Sequence, residues 1–132
     1  MAFIPDSDIL RDVLAAQFSS SFSTYHTLVD NHIIELADEE QLTEDEISVD
    51  DDGYLSSKFL RRYAAAWVCK EIFKDKMGIN NNTLADEEKY KVKYEMYLKE
   101  VDNMGKRISR QHLTNEIETR MDTAKTGYLF RS

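Results

Sequence analysis

The sequence predicts an all-α fold, a small bundle of about four helices followed by an extended C-terminal arm. The 132 residues include only four glycines and one proline, too few for the many turns of a β-sandwich or barrel. Hydrophobic residues make up 42% of the chain, enough for a core at this length. Apolar residues recur every three or four positions, the spacing of one helix face. We place the helical domain at residues 1–108 and the arm at 109–132.

The first two helices are predicted from capping residues and apolar spacing. Asp6 or Ser7 caps a helix that ends near Phe18, and Ser21 or Ser23 caps the next one. The apolar face of the first helix consists of Ile9, Leu10, Val13 and Leu14. The face of the second consists of Phe22, Tyr25, Leu28, Val29, His32, Ile33 and Leu36.

Two longer helices follow. Ser56 or Ser57 caps the third, which ends at Gly78, and Thr83 caps the fourth, which extends through Gly105. The third helix is apolar on two sides and is therefore expected at the centre of the bundle. One side, in the first half of the helix, consists of Phe59, Leu60, Tyr63, Ala64 and Trp67. The other side, in the second half, consists of Val68, Cys69, Ile72 and Phe73. The fourth carries a stripe of Tyr90, Tyr94, Tyr97, Leu98, Val101, Met104 and Ile108.

Two segments lack a sustained helical period. Residues 40–56 are expected to form a long loop in which Ile47 and Val49 make a very short strand. Beyond Ile108, the i, i+4, i+8 spacing of Leu113, Ile117 and Met121 predicts at most a short helix. Three large apolar residues follow a glycine near the end of the sequence, so we expect them to enter a pocket on a partner, with Arg131 beside them. The candidate partner-binding residues are Leu113, Ile117, Met121, Gly127, Tyr128, Leu129, Phe130 and Arg131.

Charge is unevenly distributed. The net charge is −8, yet residues 1–57 contain Arg11 as their single basic residue and residues 58–132 contain sixteen. Nine of the fifteen residues from Asp38 to Asp52 are acidic, and none is basic. Such a run is typical of a solvated loop, or of a surface that binds a basic partner or the basic half of another copy. No basic stripe typical of nucleic-acid binding is present.

No residue pattern predicts catalysis, and we expect neither an enzyme nor a cofactor. His26, His32 and His112 lack the close spacing of zinc ligands, and Cys69 lies among apolar residues that indicate a buried thiol. The run 50–53, Asp-Asp-Asp-Gly, fails the EF-hand pattern at both ends and indicates a turn. A single cysteine, no apolar run of membrane-spanning length and no secretory signal lead us to expect a soluble, intracellular protein.

Two consecutive segments carry a resemblance to a known family. Residues 59–73 read FLRRYAAAWVCKEIF, and residues 88–101, after a short polar turn, read EKYKVKYEMYLKEV. Together with the start Ile4-Pro5, this arrangement resembles the small helical head–tail connector, or adaptor, proteins of tailed bacteriophages. In that family an alanine- and aromatic-rich helix precedes a helix with a similar Tyr/Lys pattern. The resemblance covers about residues 4–108, and the acidic loop departs from it.

The resemblance implies a structural virion protein without catalysis. Members of the family form a ring, commonly of twelve copies, beneath the portal protein in the neck of the virion. The ring extends the DNA channel without sequence-specific contacts and binds a downstream tail or neck protein. A C-terminal arm often reaches the portal or a neighbouring subunit. The chain would then be made in the host cytoplasm and would have no membrane partner.

Two other functions fit the sequence. One is a small acidic helical regulator or adaptor that binds a basic partner protein, which the acidic run favours. The other is a tail-completion ring protein, which shares the ring assembly and differs in its neighbours.

Overall fold

The computed structural model describes residues 2–79 and 82–116, and over these it is an all-α fold, as predicted. Of these described residues 71% are helical, and they form five α-helices and no strand. The helices are α1 (Asp6–Leu10), α2 (Phe22–Glu39), α3 (Lys58–Lys76), α4 (Leu84–Gly105) and α5 (Arg110–Thr114). Two 3₁₀ segments, Ala15–Ser21 and Glu44–Glu46, lie between them.

The third helix is the central element, which confirms the prediction from its two apolar sides. It contacts α1, α2, α4 and α5. Its pairing with α2 is antiparallel, because Tyr25 at the start of α2 bonds Asp75 at the end of α3. Its pairing with α4 is also antiparallel, since Arg62 bonds Glu100 across the two helices. Phe73 in α3 is completely buried and lies against the tyrosines of α4.

The helix boundaries of α3 and α4 follow from local capping. The Ser57 hydroxyl accepts a hydrogen bond from the Leu60 amide at 3.3 Å, and the Thr83 hydroxyl accepts one from the Asp86 amide at 3.1 Å. Each satisfies an amide that the first helical turn leaves unpaired. Gly78 has a φ of +77°, a left-handed conformation that ends α3 at low steric cost. These predicted caps and the glycine stop are confirmed.

The first helix is shorter than its apolar spacing predicted. It ends at Leu10 instead of near Phe18. The chain then turns, and the Asp12 carboxylate accepts the Ala15 amide at 2.9 Å. Because the helical repeat stops, Leu10 and Val13 are 45% and 84% exposed, and their predicted place on a buried face is wrong. Ile9 is fully buried as expected.

The loop at 40–56 packs onto the domain through three buried apolar side chains, Leu42, Ile47 and Leu55. The predicted short strand is reduced to a single antiparallel bridge between Val49 and Leu55. The Asp50 carboxylate accepts the amides of Asp52 and Tyr54, at 2.9 and 3.0 Å. The acidic run therefore ends in a turn that Asp50 itself stabilises.

Residues 110–114, which we expected at the start of the arm, form α5 and pack on the helical domain. Leu113 is fully buried there, and its carbonyl oxygen accepts a hydrogen bond from the Ser48 amide at 2.9 Å. The His112 ring stacks on Phe59 of α3 with centroids 4.4 Å apart. The α5 helix therefore completes the cover over the start of α3, although these residues lie beyond the helical domain that we placed at residues 1–108.

Candidate functional site

A groove of about 990 Å³ lies between α1, the turn that follows it, α3 and α4. We call it the α1–α4 groove. Two carboxylates of the N-terminal segment, Asp8 and Asp12, form part of its wall, and each is only 8% exposed. A buried carboxylate is costly unless it is paired, so the partners of these two groups decide what the groove can do.

Asp8 is paired with Arg61 of α3. The guanidinium Nε donates to one carboxylate oxygen at 3.1 Å and Nη2 donates to the other at 3.0 Å. This two-bond geometry matches the planar guanidinium to the planar carboxylate. The pair fixes α1 against α3.

Asp12 is paired with two residues of α4. Lys93 Nζ donates to the carboxylate at 3.0 Å, and the Tyr97 hydroxyl donates to the same oxygen. Burial acts to raise the pKa of Asp12, but these bonds and the Ala15 amide outweigh it and hold the pKa below its usual value. Asp12 is therefore ionised at neutral pH and joins the turn to α4.

The two potential nucleophiles of the groove are protonated at neutral pH. Burial raises the pKa of the Cys69 thiol to about 12. Burial and the bond to Asp12 also raise the pKa of Tyr97 above its usual value. Cys69 is 3% exposed, so the predicted buried thiol is confirmed. The groove offers charge and shape for binding.

The outer rim of the groove is basic. Arg11 and Arg62 both line it, with side chains 82% and 74% exposed. Lys58 also lines it and is exposed. Arg62 pairs with Glu100 at 3.0 Å, but an ion pair this exposed contributes little stability. The rim is thus a concentration of cations in a chain whose net charge is −8.

Exposed apolar side chains adjoin this rim. Val13 is 84% exposed, Val92 65% and Met96 46%. Leu14 lines both the α1–α4 groove and a hollow of about 520 Å³ beside it that Val92 also lines. Val13 and Val92 therefore border two adjoining hollows. We call these two residues and Met96, one helical turn after Val92, the apolar patch. Clustered exposed apolar residues mark contact surfaces on soluble domains.

The outer side of α2 has the opposite character. The helix contains no lysine or arginine. Its exposed positions recur at helical spacing along one side. We call them the α2 face: Thr24, Leu28, Asn31, Glu35 and Asp38. Beyond it the acidic run continues, and all nine of its carboxylate residues are exposed. The α2 face is thus acidic at its C-terminal end, without any basic residue, and the acidic run follows it in sequence.

The α2 face and the groove lie on different sides of α3. Ala65 lines the groove, whereas the Trp67 ring stacks on His32 of α2 with centroids 4.9 Å apart. Residues two positions apart on a helix point about 200° apart, so these two point in nearly opposite directions. The basic groove and the acidic helix therefore flank α3 from opposite sides.

His32 is a satisfied histidine of the domain interior, as predicted. Its Nε2 lies 2.8 Å from the Tyr63 hydroxyl, and its ring is stacked between α2 and α3. Burial, assisted by Lys70, lowers the pKa of His32. Among the described residues no group of His, Cys, Asp and Glu is arranged to hold a metal ion.

The predicted partner-binding residues fall into two groups. Leu113 belongs to the domain's own core and offers no surface to a partner. The other seven lie outside the described residues and stay predictions: Ile117, Met121, Gly127, Tyr128, Leu129, Phe130 and Arg131.

Sequence reasoning missed the groove. Asp8 and Asp12 pair with partners 53 to 85 positions away, and no local pattern encodes such distances. One signal was available. Asp8 and Asp12 lie four residues apart among the apolar residues of the first predicted helix, in a segment expected to be partly buried.

Within residues 2–79 and 82–116, no helix has the length and hydrophobicity required to cross a membrane. Comparisons of the chain with protein-family models, with curated proteins and with solved structures found no match.

Proposed function

We propose that this chain is a structural virion protein of the head–tail connector type. Copies form a ring below the portal protein, and the ring extends the DNA channel and joins head to tail. The sequence resemblance supplies the family. The observation that carries the proposal is the apolar patch, because Val13 and Val92 stay 84% and 65% exposed beside a well-packed core. A subunit that assembles has a use for such a surface.

The charge distribution suits a DNA channel. Phosphate groups bind clustered lysine and arginine and are repelled by carboxylates. The acidic residues that follow the α2 face, from Glu39 to Asp52, are all exposed and give one region of the domain a negative charge. A channel wall of this kind lets DNA slide past without adhering. The predicted arm would bind the portal or a neighbouring subunit through Tyr128, Leu129 and Phe130.

Electron microscopy tests this proposal. The purified chain is imaged alone and after mixing with rings of the portal protein encoded in the same genome. The expected result is a ring with a central opening, either free or stacked on the portal. A preparation that shows neither rings nor decorated portals contradicts the proposal.

The second candidate is an acidic helical regulator or adaptor of a basic protein. The exposed carboxylates of the acidic run favour it, since they offer a ready surface to clustered lysines or arginines. Such a protein works as a single 15.4 kDa chain in a one-to-one complex. Its mass in solution therefore separates it from a ring subunit. A tail-completion ring protein would form rings but would not decorate the portal.

A further inference from the structure

We propose that neighbouring copies associate head to tail, with the α2 face of one copy seated in the α1–α4 groove of the next. This interface rests on the proposed ring function and names the surfaces that build it. Both surfaces belong to the described part of the chain, and the occupant of the groove is a second copy of the same protein.

Charge complementarity selects this pairing. The groove rim presents Arg11 and Arg62, both largely exposed. The α2 face presents Glu35 and Asp38 and contains no basic residue. Complementary charges of this kind speed association and fix the register of two surfaces. Two grooves facing each other, or two α2 faces, would instead set like charges together.

Apolar contacts supply the centre of the interface. Leu28 lies in the middle of the α2 face and is 42% exposed. Val13 and Val92, of the apolar patch, adjoin the groove. An apolar centre with a charged rim is the usual anatomy of a protein–protein interface. A helix laid in a groove is also a common mode of recognition.

The placement of the two surfaces is compatible with a closed ring. Because the groove and the α2 face flank α3 from nearly opposite sides, each copy can bind two neighbours at once. A contact between two different surfaces of the same subunit is heterologous, and repeated heterologous contacts generate a closed ring when the rotation closes. A face-to-face dimer would need one surface that complements itself, and neither of these does.

Charge reversal on each surface tests the interface. One variant carries Arg11→Glu and Arg62→Glu in the groove, and the other carries Glu35→Lys and Asp38→Lys on α2. Each alone should stay at the monomer mass in light scattering under conditions in which the parent assembles. An equimolar mixture should assemble again, because the acidic groove of the first variant accepts the basic helix of the second. In the mixture, the groove of the second variant and the α2 face of the first keep their original charges, so the contact between them is that of the parent.

Matched controls reverse equally exposed charges elsewhere. Lys91→Glu with Lys106→Glu alters exposed lysines within α4 and just after it, and Asp51→Lys with Asp52→Lys alters the acidic turn. Both should assemble like the parent. Circular dichroism of every variant should match the parent, and its melting temperature should stay close to that of the parent, because all eight replaced side chains are exposed.

Three results overturn the interface. The first is assembly of both groove and α2 variants at the parent level. The second is a mixture that stays monomeric while its components are folded. The third is loss of assembly in the controls equal to that in the test variants. A parent chain that forms no assembly, alone or on portal rings, overturns the proposed function as well, so the two failures are distinguishable.

Discussion

Tyr97 donates a hydrogen bond from its hydroxyl to the carboxylate of Asp12, joining α4 to the turn after α1 across 85 positions of sequence. Lys93, one helical turn earlier, donates to the same carboxylate oxygen at 3.0 Å. Asp12 thus forms the wall of the groove and attaches the N-terminal segment to the bundle.

Removing this carboxylate should destabilise the domain. Asp12→Ala leaves Lys93 without its counterion and the Tyr97 hydroxyl without its acceptor. Breaking a buried ion pair from one side costs about 3 kcal/mol or more. Urea denaturation followed by circular dichroism measures the loss. Asp51→Ala removes an exposed carboxylate and should change stability by less than about 0.5 kcal/mol. Equal effects from the two substitutions would show that Asp12 is not a tether.

Stability should depend on pH through His32. Burial lowers its pKa in the folded state, so the unfolded chain binds the proton more readily. Its contribution to stability is therefore complete above the unfolded pKa of about 6.5 and is lost as the pH falls through that value toward the folded pKa. The urea concentration at the unfolding midpoint should fall between pH 7.5 and pH 5.5, and it should fall further for the parent than for His32→Gln. The same difference in both proteins would contradict this assignment.

Two aromatic side chains of α3 should differ in what they contribute. Phe73 is completely buried, so Phe73→Ala should cost about 3–5 kcal/mol. Trp67 is only half-buried, with one face against His32 and Lys70 beside it. Trp67→Ala should therefore cost less, about 2 kcal/mol. Denaturant titrations of the two variants give the order directly, and a larger loss for Trp67 would reverse it.

The arm prediction concerns residues beyond the described part of the chain. Deleting residues 126–132 removes Tyr128, Leu129 and Phe130. If these residues bind the portal or another subunit, the shortened chain keeps its helical spectrum and melting temperature but no longer assembles onto its partner. Thermal melting and portal binding check the two halves of this expectation. A shortened monomer that melts several degrees lower would place the segment on its own domain, and normal assembly would exclude the arm from binding.

Much of the fold follows from local patterns. The caps at Ser57 and Thr83, the stop at Gly78 and the two-sided character of α3 are all readable from spacing and residue type, because each depends on neighbours within one or two turns. Trp67 shows the limit. It lies on the predicted apolar side of α3, yet it packs on a histidine and is only partly buried, since the partner helix decides how deeply it is covered.

The groove was not predictable in the same way. Leu10 and Val13 fit a helical stripe, but the chain leaves the helix once Asp12 turns inward to reach α4, and both side chains face solvent. Leu113 fitted a weak arm helix, yet it is buried because α5 returns to cover α3. Each difference comes from a long-range contact, which overrides local spacing and whose partner cannot be identified from the neighbouring residues.

The central claim is that this chain works as an assembly of identical copies. Light scattering coupled to size exclusion measures its mass, alone and with portal rings. We expect a single species many times heavier than the 15.4 kDa chain, or portal rings that gain a fixed number of copies. A chain that stays at 15.4 kDa over the whole accessible concentration range, and leaves the mass of the portal unchanged, would contradict it.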